Sequence, residues 1–355
     1  MPGVDEGGAR GEGTGESDTP ADPTDDGRSS LRAVGKRALE VESNSVLLAT
    51  IALVLVIGVI HPDFLEWSQL KDTLQQSVYV GVIAGGMAFL ISMREIDLSV
   101  GSMFGLGMVC SALLMQGGMD PWIAGPLAVV FGCGMGLVNA IFAQVIAIPT
   151  IIATLATLSM YRGLAQALAK GQQVTGLPLK SSFFSFFGGD LLGLPVSVWV
   201  MIVVAIVLTV VLRFTPYGYR VREIGSNPDA ARFSGISIGR VRVQTLVMIG
   251  ALSGVSAMLG LAFFSSADPN IGTGFELQAI AAAVIGGTPL RGGSATVVGA
   301  VLGAILLSVV NSGLVYFNVP VNWSSFATGA VILVAVALDS LLRSRRRRRR
   351  SGLGL

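Results

Sequence analysis

Three charged residues stand close together between two long apolar stretches of the sequence. Residues 93–102 read MREIDLSVGS and place Arg94, Glu95 and Asp97 within four positions of one another. A charged group among apolar side chains is costly unless it is paired or has a functional role. Asp97 also precedes a helix-forming stretch, where a carboxylate accepts backbone N–H bonds at the positive end of the helix dipole. Two roles are therefore open for Asp97, a helix cap or direct participation in function.

The sequence offers no constellation for catalysis or metal binding. Its one histidine, His61, follows an apolar block, and Cys110 and Cys133 lie inside apolar blocks, where free cysteine behaves as a small hydrophobe. It contains no G-x-x-x-x-G-K-[ST] phosphate-binding loop. We therefore expect no metal, no cofactor and no enzymatic activity in this chain.

The composition is that of a membrane protein. Of 355 residues, 52% are hydrophobic and only 13% are charged, whereas a soluble domain carries about 25% charged residues. Blocks such as 45–60 and 196–212 approach the roughly 20 helical residues that cross a bilayer. These continuous blocks lack the alternation of barrel strands, so the chain is expected to be an all-α integral membrane protein.

We predict about ten transmembrane helices, some of them short or interrupted, within a domain at residues 44–342. The predicted spans are 45–60, 74–92, 98–116, 122–146, 149–168, 196–213, 244–265, 277–289, 295–312 and 323–342. Residues 1–43 are rich in Gly and acidic residues and are predicted to be a disordered tail. Residues 343–355 form a basic tail.

The basic residues predict the orientation in the membrane. Arg28, Arg32, Lys36 and Arg37 precede the first span, and Arg345–Arg350 follow the last. By the positive-inside rule both termini are cytoplasmic, which requires an even number of spans and places the arginine-rich loop 214–243 in the cytoplasm. Directly after a span, the terminal arginine run is expected to contact anionic membrane lipid and not nucleic acid.

Two stretches interrupt the apolar pattern. AIAAAVIGGTPLRGGS (279–294) is too short before its Gly-Gly-Thr-Pro break to cross as a regular helix, and MREIDLSVGS breaks another block. Irregular backbone at membrane depth survives only beside protein or water, so such breaks indicate a transport pathway. Under this interpretation Asp97 either takes part in translocation or gating, or caps the next helix while Arg94 or Glu95 is solvated at the inner surface.

Several other residues are candidates for the pathway or its gating. Each has an alternative role, namely hydrogen bonding between helices for the polar residues, close helix packing for Gly101, and reaching the outer headgroups for Arg162. The candidates are Asp97, Ser99, Gly101, Asn139, Thr154, Thr157, Arg162 and Asn311.

The loop 214–243 contains a predicted helix of about two turns within GSNPDAARFSGISIG (225–239). Asn227 is a good N-cap, Pro228 fits the first helical position, and Gly235 can end the helix in the left-handed conformation. Ala230 and Ala231 beside Phe233 offer a compact apolar face. So short a helix is unstable alone, and it is expected to dock either on its own bundle or on a partner.

Four motifs together resemble the membrane permeases of ribose-, xylose- and galactose-type ABC importers. They are EIDLSVGS (95–102), IPTIIATLATLSMYRGLA (148–165), GSNPDAARFSGI (225–236) and AIAAAVIGGTPLRGGSATVVGAVLGAIL (279–306). The resemblance implies a homo- or heterodimer of permease subunits, a separate cytoplasmic ATPase and an extracytoplasmic sugar-binding protein. It also implies that the short cytoplasmic helix contacts the ATPase. The residues it assigns to that contact are Gly225, Asn227, Asp229, Ala230, Ala231, Phe233 and Gly235.

The sequence departs from the family pattern in two places. Arg94 and Glu95 stand where family members commonly have Gly-Gly, and Asp229 stands where the coupling loop usually has Glu. The resemblance implies a multi-pass protein of the bacterial cytoplasmic membrane that imports a pentose or hexose. The alternatives are a nucleoside, polyol or sugar-derived signal as substrate, or an ion-coupled secondary carrier.

Overall fold

The computed structural model describes residues 43–320 and, beyond them, residues 323, 326, 329, 330 and 333. The predicted tails, apart from Ser43, lie outside the described residues, as does most of the predicted tenth span at 323–342.

Helices account for most of the described chain. The first half contains α1 (Ser43–Ile60), a 3-10 turn (Pro62–Leu65), α2 (Trp67–Ser92), α3 (Val100–Gln116), α4 (Pro121–Gln144) and α5 (Thr150–Leu168). It is followed by α6 (Ser182–Phe187) and an antiparallel hairpin of β1 (Asp190–Leu191) and β2 (Leu194–Pro195). The remaining helices are α7 (Val196–Phe214), α8 (Pro216–Ser226), α9 (Pro228–Phe233), α10 (Ile238–Phe264), α11 (Phe275–Ile285) and α12 (Val297–Tyr316).

Within residues 43–320 a helix occupies each of the first nine predicted spans. Five helices, α2, α4, α7, α10 and α12, are long and apolar enough to cross a membrane, whereas α1, α3 and α11 are shorter apolar helices. The predicted short eighth span is confirmed, because α11 has only 11 residues and ends before Gly286.

Helix α2 lies at the centre of the bundle. Every residue from Ser77 to Ser92 is buried, and the helix packs against α7, α10, α11 and α12. A second contact joins α4 to α10 through glycines. A Cβ atom placed on Gly132 would lie 2.1 Å from the Gly250 carbonyl oxygen, and one on Gly254 would lie 2.3 Å from that of Ala128. These glycines, which carry no side chain, allow the two helix backbones to approach this closely.

Helices α2 and α10 extend well beyond the predicted spans, and helices α6 and α8 were not predicted. Helix α2 begins at Trp67 and α10 at Ile238, each several residues before the apolar block starts. The spans were predicted from the length of each apolar block. A helix can begin before its apolar block, because its polar turns also form backbone hydrogen bonds. Helix α8 was not predicted, although Thr215 caps it by accepting a bond from the Gly218 amide and Pro216 occupies its first position.

Candidate functional site

The connections between helices gather at two ends of the bundle. The arginine-rich end comprises the connections 93–99, 145–149, 215–237 and 286–296, together with the helix turns that adjoin them. Of the nine arginines in the described chain all but Arg162 lie there, and the described lysines do not. The opposite end comprises the connections 61–66, 117–120, 169–195 and 265–274. A bridge between Val174 and Ala267 joins the last two of these connections.

At the arginine-rich end both interrupted segments meet the C-terminus of α8. The Ser92 carbonyl oxygen accepts a hydrogen bond of 2.9 Å from the Gly293 amide. Arg94 donates through Nε to the Gly225 carbonyl oxygen at 2.7 Å and through Nη2 to that of Ser226 at 2.9 Å. A Cβ atom placed on Gly225 would lie 1.6 Å from the Ser92 oxygen. The three segments therefore touch through their backbones. Arg94 is exposed, and its guanidinium is also bonded to the end of α8.

Glu95 ties the first interrupted segment to three helices. Its Oε1 accepts from Arg242 Nε at 2.5 Å, and its Oε2 accepts from the Thr150 hydroxyl at 3.0 Å. Arg242 also donates to Gln144 at the end of α4, at 3.2 Å. The carboxylate is mostly buried, with 13% of its side chain exposed. Of the two residues that the sequence offered as solvated, Arg94 or Glu95, Glu95 is the mostly buried one. Beside this pair is a cavity of about 530 Å³ with a partly apolar lining that includes Ile148.

Asp97 is fully buried in the connection between α2 and α3, outside the helices themselves. Its Oδ1 accepts from the Ser99 amide at 2.7 Å and from the Ser99 hydroxyl at 2.6 Å, and its Oδ2 accepts from Asn139 at 3.1 Å. Burial raises the pKa of the Asp97 carboxyl, while the hydrogen bonds from Ser99 and Asn139 act in the opposite direction. The amide donor belongs to the residue before α3, so Asp97 stabilises the turn that leads into the helix.

The hydrogen-bond network extends from Asp97 to α4 and α5. Asn139 donates to the Ser99 hydroxyl at 2.8 Å, and the Tyr161 hydroxyl lies 3.1 Å from Asn139 Oδ1. On α5 the Thr154 hydroxyl accepts from the Leu98 amide at 3.1 Å, and the Thr157 hydroxyl donates to the Thr154 carbonyl at 3.3 Å. These groups bond to one another in this conformation. The network therefore fixes the first interrupted segment against two helices.

Tyr161 belongs to this network, but the sequence reasoning missed it. A signal existed, because Thr150, Thr154, Thr157 and Tyr161 follow one another at the spacing of a single helix face. Read together, they predict a polar stripe on α5 that must face protein and not lipid.

Arg162 and Gly101 belong to a second group, which is formed around the connection 265–274. Arg162 Nη1 donates to the Ile271 carbonyl oxygen at 2.8 Å, and a Cβ atom placed on Gly101 would lie 2.2 Å from that of Gly272. Glu276, which the sequence reasoning missed because it stands one residue before a predicted span, accepts from the Gly274 amide at 3.2 Å. Asn311 lies on α12, whose main neighbours are α1, α2, α7 and α11.

The predicted short helix is present as α9. The Asn227 side chain accepts from the amides of Asp229 and Ala230, at 3.2 and 3.1 Å. Gly235 ends the helix with φ of +80°. The local geometry expected from the sequence is confirmed. The expected compact apolar face is not, because Ala231 is buried against the bundle while the Phe233 side chain is 93% exposed.

Comparison with known proteins identifies the family. The family described as branched-chain amino acid transport system / permease component matches residues 69–336. The chain belongs to this permease family. The permease is 36% identical to the ribose import permease protein of Bacillus subtilis over 82% of this chain and 91% of that protein. It is 32% identical to the ribose import permease protein of Escherichia coli K12, over 83% and 92% of the two chains. It is also 33% identical to the autoinducer 2 import system permease protein of Salmonella typhi, over 84% and 86%.

Membership makes the permease an integral membrane protein of the bacterial inner membrane, as its apolar helices indicate. Its geometry connects an exposed surface to the interior. Helix α9 follows Gly225 and Ser226, which are bonded to Arg94, and Arg94 belongs to the same connection as Asp97. A continuous series of contacts therefore joins α8 and α9 to both interrupted segments.

Proposed function

We propose that the permease is the ten-span translocating subunit of an ABC importer for a monosaccharide, a pentose or hexose. An extracytoplasmic binding protein delivers the sugar, a second permease subunit completes the channel, and a separate cytoplasmic ATPase drives transport. In this proposal residues 225–235 form the contact with the ATPase. The residues Asp97, Ser99, Gly101, Asn139, Thr154, Thr157, Arg162 and Asn311 belong to the pathway or its gating.

The observation that carries the proposal is the attachment of an exposed short helix to both breaks in the bundle. Helix α9 has only six residues and cannot be stable alone. It is held by its Asn227 cap and by Ala231 packing, yet it leaves Phe233 in solvent. A large exposed aromatic side chain on a braced helix is a suitable anchor for a partner. Helix α9 is connected through the end of α8 to Arg94 and Gly293. Motion of the partner would therefore reach the interrupted segments.

The arginine-rich end supports the orientation of the proposal. Cytoplasmic connections carry an excess of arginine and lysine, and eight of the nine described arginines lie at this end. With this end in the cytoplasm, α9 faces an ATPase and the opposite end faces the binding protein. Both chain termini are then cytoplasmic.

Two substrate classes follow from the relatives. The proteins of Bacillus subtilis and Escherichia coli are named as ribose import permeases, which favours a monosaccharide. The relative from Salmonella typhi is named for autoinducer 2, which supports a sugar-derived signal as the second candidate.

Reconstitution tests the proposal. Proteoliposomes that contain the permease with its ATPase and binding protein should accumulate radiolabelled ribose, another pentose or a hexose only when ATP is present inside. Uptake of autoinducer 2 alone would favour the second candidate. Uptake by the permease alone, driven by an ion gradient without ATP, would identify a secondary carrier and overturn the proposal.

A further inference from the structure

A second cavity at the arginine-rich end is lined only by polar groups and glycine backbone. It has a volume of about 510 Å³ and is formed by Arg94, Arg291, Ser226, Ser294 and three glycines. Two of those glycines, Gly292 and Gly293, are adjacent and have φ of +77° and +86°. Neither a carboxylate nor a large apolar side chain is among its lining residues.

The positive charge of this cavity has no counter-charge in its lining. Among the residues that the structure describes, Arg94 donates only to the carbonyl oxygens of Gly225 and Ser226. Arg291 is exposed, and within the described part of the chain it makes no hydrogen bond or ion pair. Two guanidinium groups and two hydroxyls around one space are suited to a carboxylate or a phosphate, because planar guanidinium donors form charge-assisted bonds with such oxygens.

The neighbouring 530 Å³ cavity has the apolar wall that a lipid-binding site would need. That cavity contains Ile96, Ile148 and Ile151 in its wall, and its Arg242 is already paired with Glu95. A lipid headgroup carries acyl chains that need such apolar surface. The cavity of Arg94 and Arg291 has no such side chain in its wall, which favours an acidic group on a water-soluble protein.

The position of the cavity next to α9 indicates which protein supplies the acidic group. Ser226 lines the cavity and directly precedes Asn227, the cap of α9. We propose that this cavity receives an aspartate or glutamate side chain of the ATPase that binds α9. The inference rests on the proposed function and deepens it by naming a second anchoring point. Phe233 supplies apolar contact, and the cavity supplies charge recognition that fixes the partner's orientation.

A binding measurement tests the cavity. The permease is placed in phosphatidylcholine nanodiscs, and the affinity of the purified ATPase that restores ATP-driven uptake is measured at low and high salt. Arg291→Glu should weaken ATPase binding about tenfold at low salt. The difference in affinity between this variant and the original permease should be smaller at high salt, because exposed charge pairs are screened. Arg291→Lys keeps the charge but loses the planar guanidinium donors, so its affinity should lie between those of the original protein and of Arg291→Glu. Arg240→Glu changes the net charge equally at the same end, outside the cavity, and should have a clearly smaller effect.

Four outcomes would overturn the inference. If the unaltered permease binds the ATPase and Arg291→Glu binds equally well, the cavity is not an anchoring point while the proposed function stands. If Arg240→Glu lowers the ATPase affinity as much as Arg291→Glu does, the effect comes from general attraction between opposite charges and not from the cavity. If Arg291→Glu instead lowers retention of phosphatidylglycerol in nanodiscs without ATPase and leaves ATPase affinity unchanged, the cavity is a lipid site. If the ATPase does not bind the unaltered permease, the proposed function fails as well. Recovery of binding to Arg291→Glu when one acidic residue of the ATPase is changed to arginine would confirm the pairing.

Discussion

At the opposite end of the bundle polar side chains bond mainly to other parts of the same chain, whereas the arginine-rich end leaves Phe233 and Arg291 facing solvent. The opposite end is joined by Lys71 with Asp190 at 2.6 Å and by Gln116 with the Thr175 carbonyl at 2.5 Å. The rings of Trp122, Phe183 and Phe187 pack together beside these contacts.

The difference concerns which groups are left for a partner. At the opposite end long connections bond across one another, so its shape is set within the chain. At the arginine-rich end the bonds of Arg94 and Glu95 fix the interrupted segments, while α9 and the cation-lined cavity keep surface and charge available. The same end thus combines a rigid interior with an open exterior, as the proposed contact with an ATPase requires.

The largest effect is expected from Gly225→Val, which attacks the rigid interior. The first added carbon would lie 1.6 Å from the Ser92 oxygen and 2.6 Å from the Gly293 amide, so backbone must move. We expect a loss of stability of about 3 kcal/mol and loss of ATP-driven uptake. Thermal unfolding in detergent and uptake in proteoliposomes measure both. Gly163→Ala, where a Cβ atom meets nothing within 4 Å, is the control. Normal uptake by Gly225→Val would show that the three segments need not touch.

Asp97 variants are expected to have the next largest effect. Asp97→Ala removes the acceptor for Ser99 and Asn139 in a fully buried site, which should cost about 2–3 kcal/mol of stability. Asp97→Asn keeps an acceptor for the Ser99 amide and should be milder in thermal unfolding. Uptake separates the two roles that the sequence left open. Near-normal uptake by Asp97→Asn supports the structural role, and a large loss despite preserved stability supports a role of the charge in gating.

Gly235→Val tests the open exterior. The position has φ of +80°, and a Cβ atom there meets nothing within 4 Å, so the effect comes from backbone conformation alone. A β-branched residue in the left-handed region costs about 1–2 kcal/mol. We expect weaker ATPase binding with little change in bundle stability. Gly235→Asn, which tolerates this conformation, should retain binding. Equal binding by both variants would show that the end of α9 does not shape the docking surface.

The smallest effect is expected from Lys71→Gln at the opposite end. The ion pair with Asp190 is partly exposed, with 27% and 46% of the two side chains accessible. Exposed pairs contribute about 0–1 kcal/mol. Thermal unfolding should therefore shift only slightly and uptake should remain normal. A loss of uptake comparable to that of Gly225→Val would remove the distinction between the two ends.

Local features of the permease were predictable, and contacts between distant segments were not. Apolar length located α3 and α4, and the Asn227 cap with Gly235 defined α9, because these features depend on neighbours in the sequence. The bonds of Arg94 to Gly225 and Ser226 join residues far apart in the chain, so no local pattern indicates them. Glu276 was missed for a different reason. Hydropathy locates a span boundary only to within several residues. Glu276 stands one residue outside the predicted span, so it was not counted among the ionisable residues within the membrane.

The glycines where α4 meets α10 limit how the chain can change by mutation. A methyl group on Gly132 or on Gly250 would lie 2.1 Å from the carbonyl oxygen of the other residue. Neither helix can therefore acquire even an alanine at these positions unless its neighbour retreats. Two segments that are far apart in the sequence therefore both require glycine where their backbones touch. We expect substitutions to be tolerated at other positions before they are tolerated at these two.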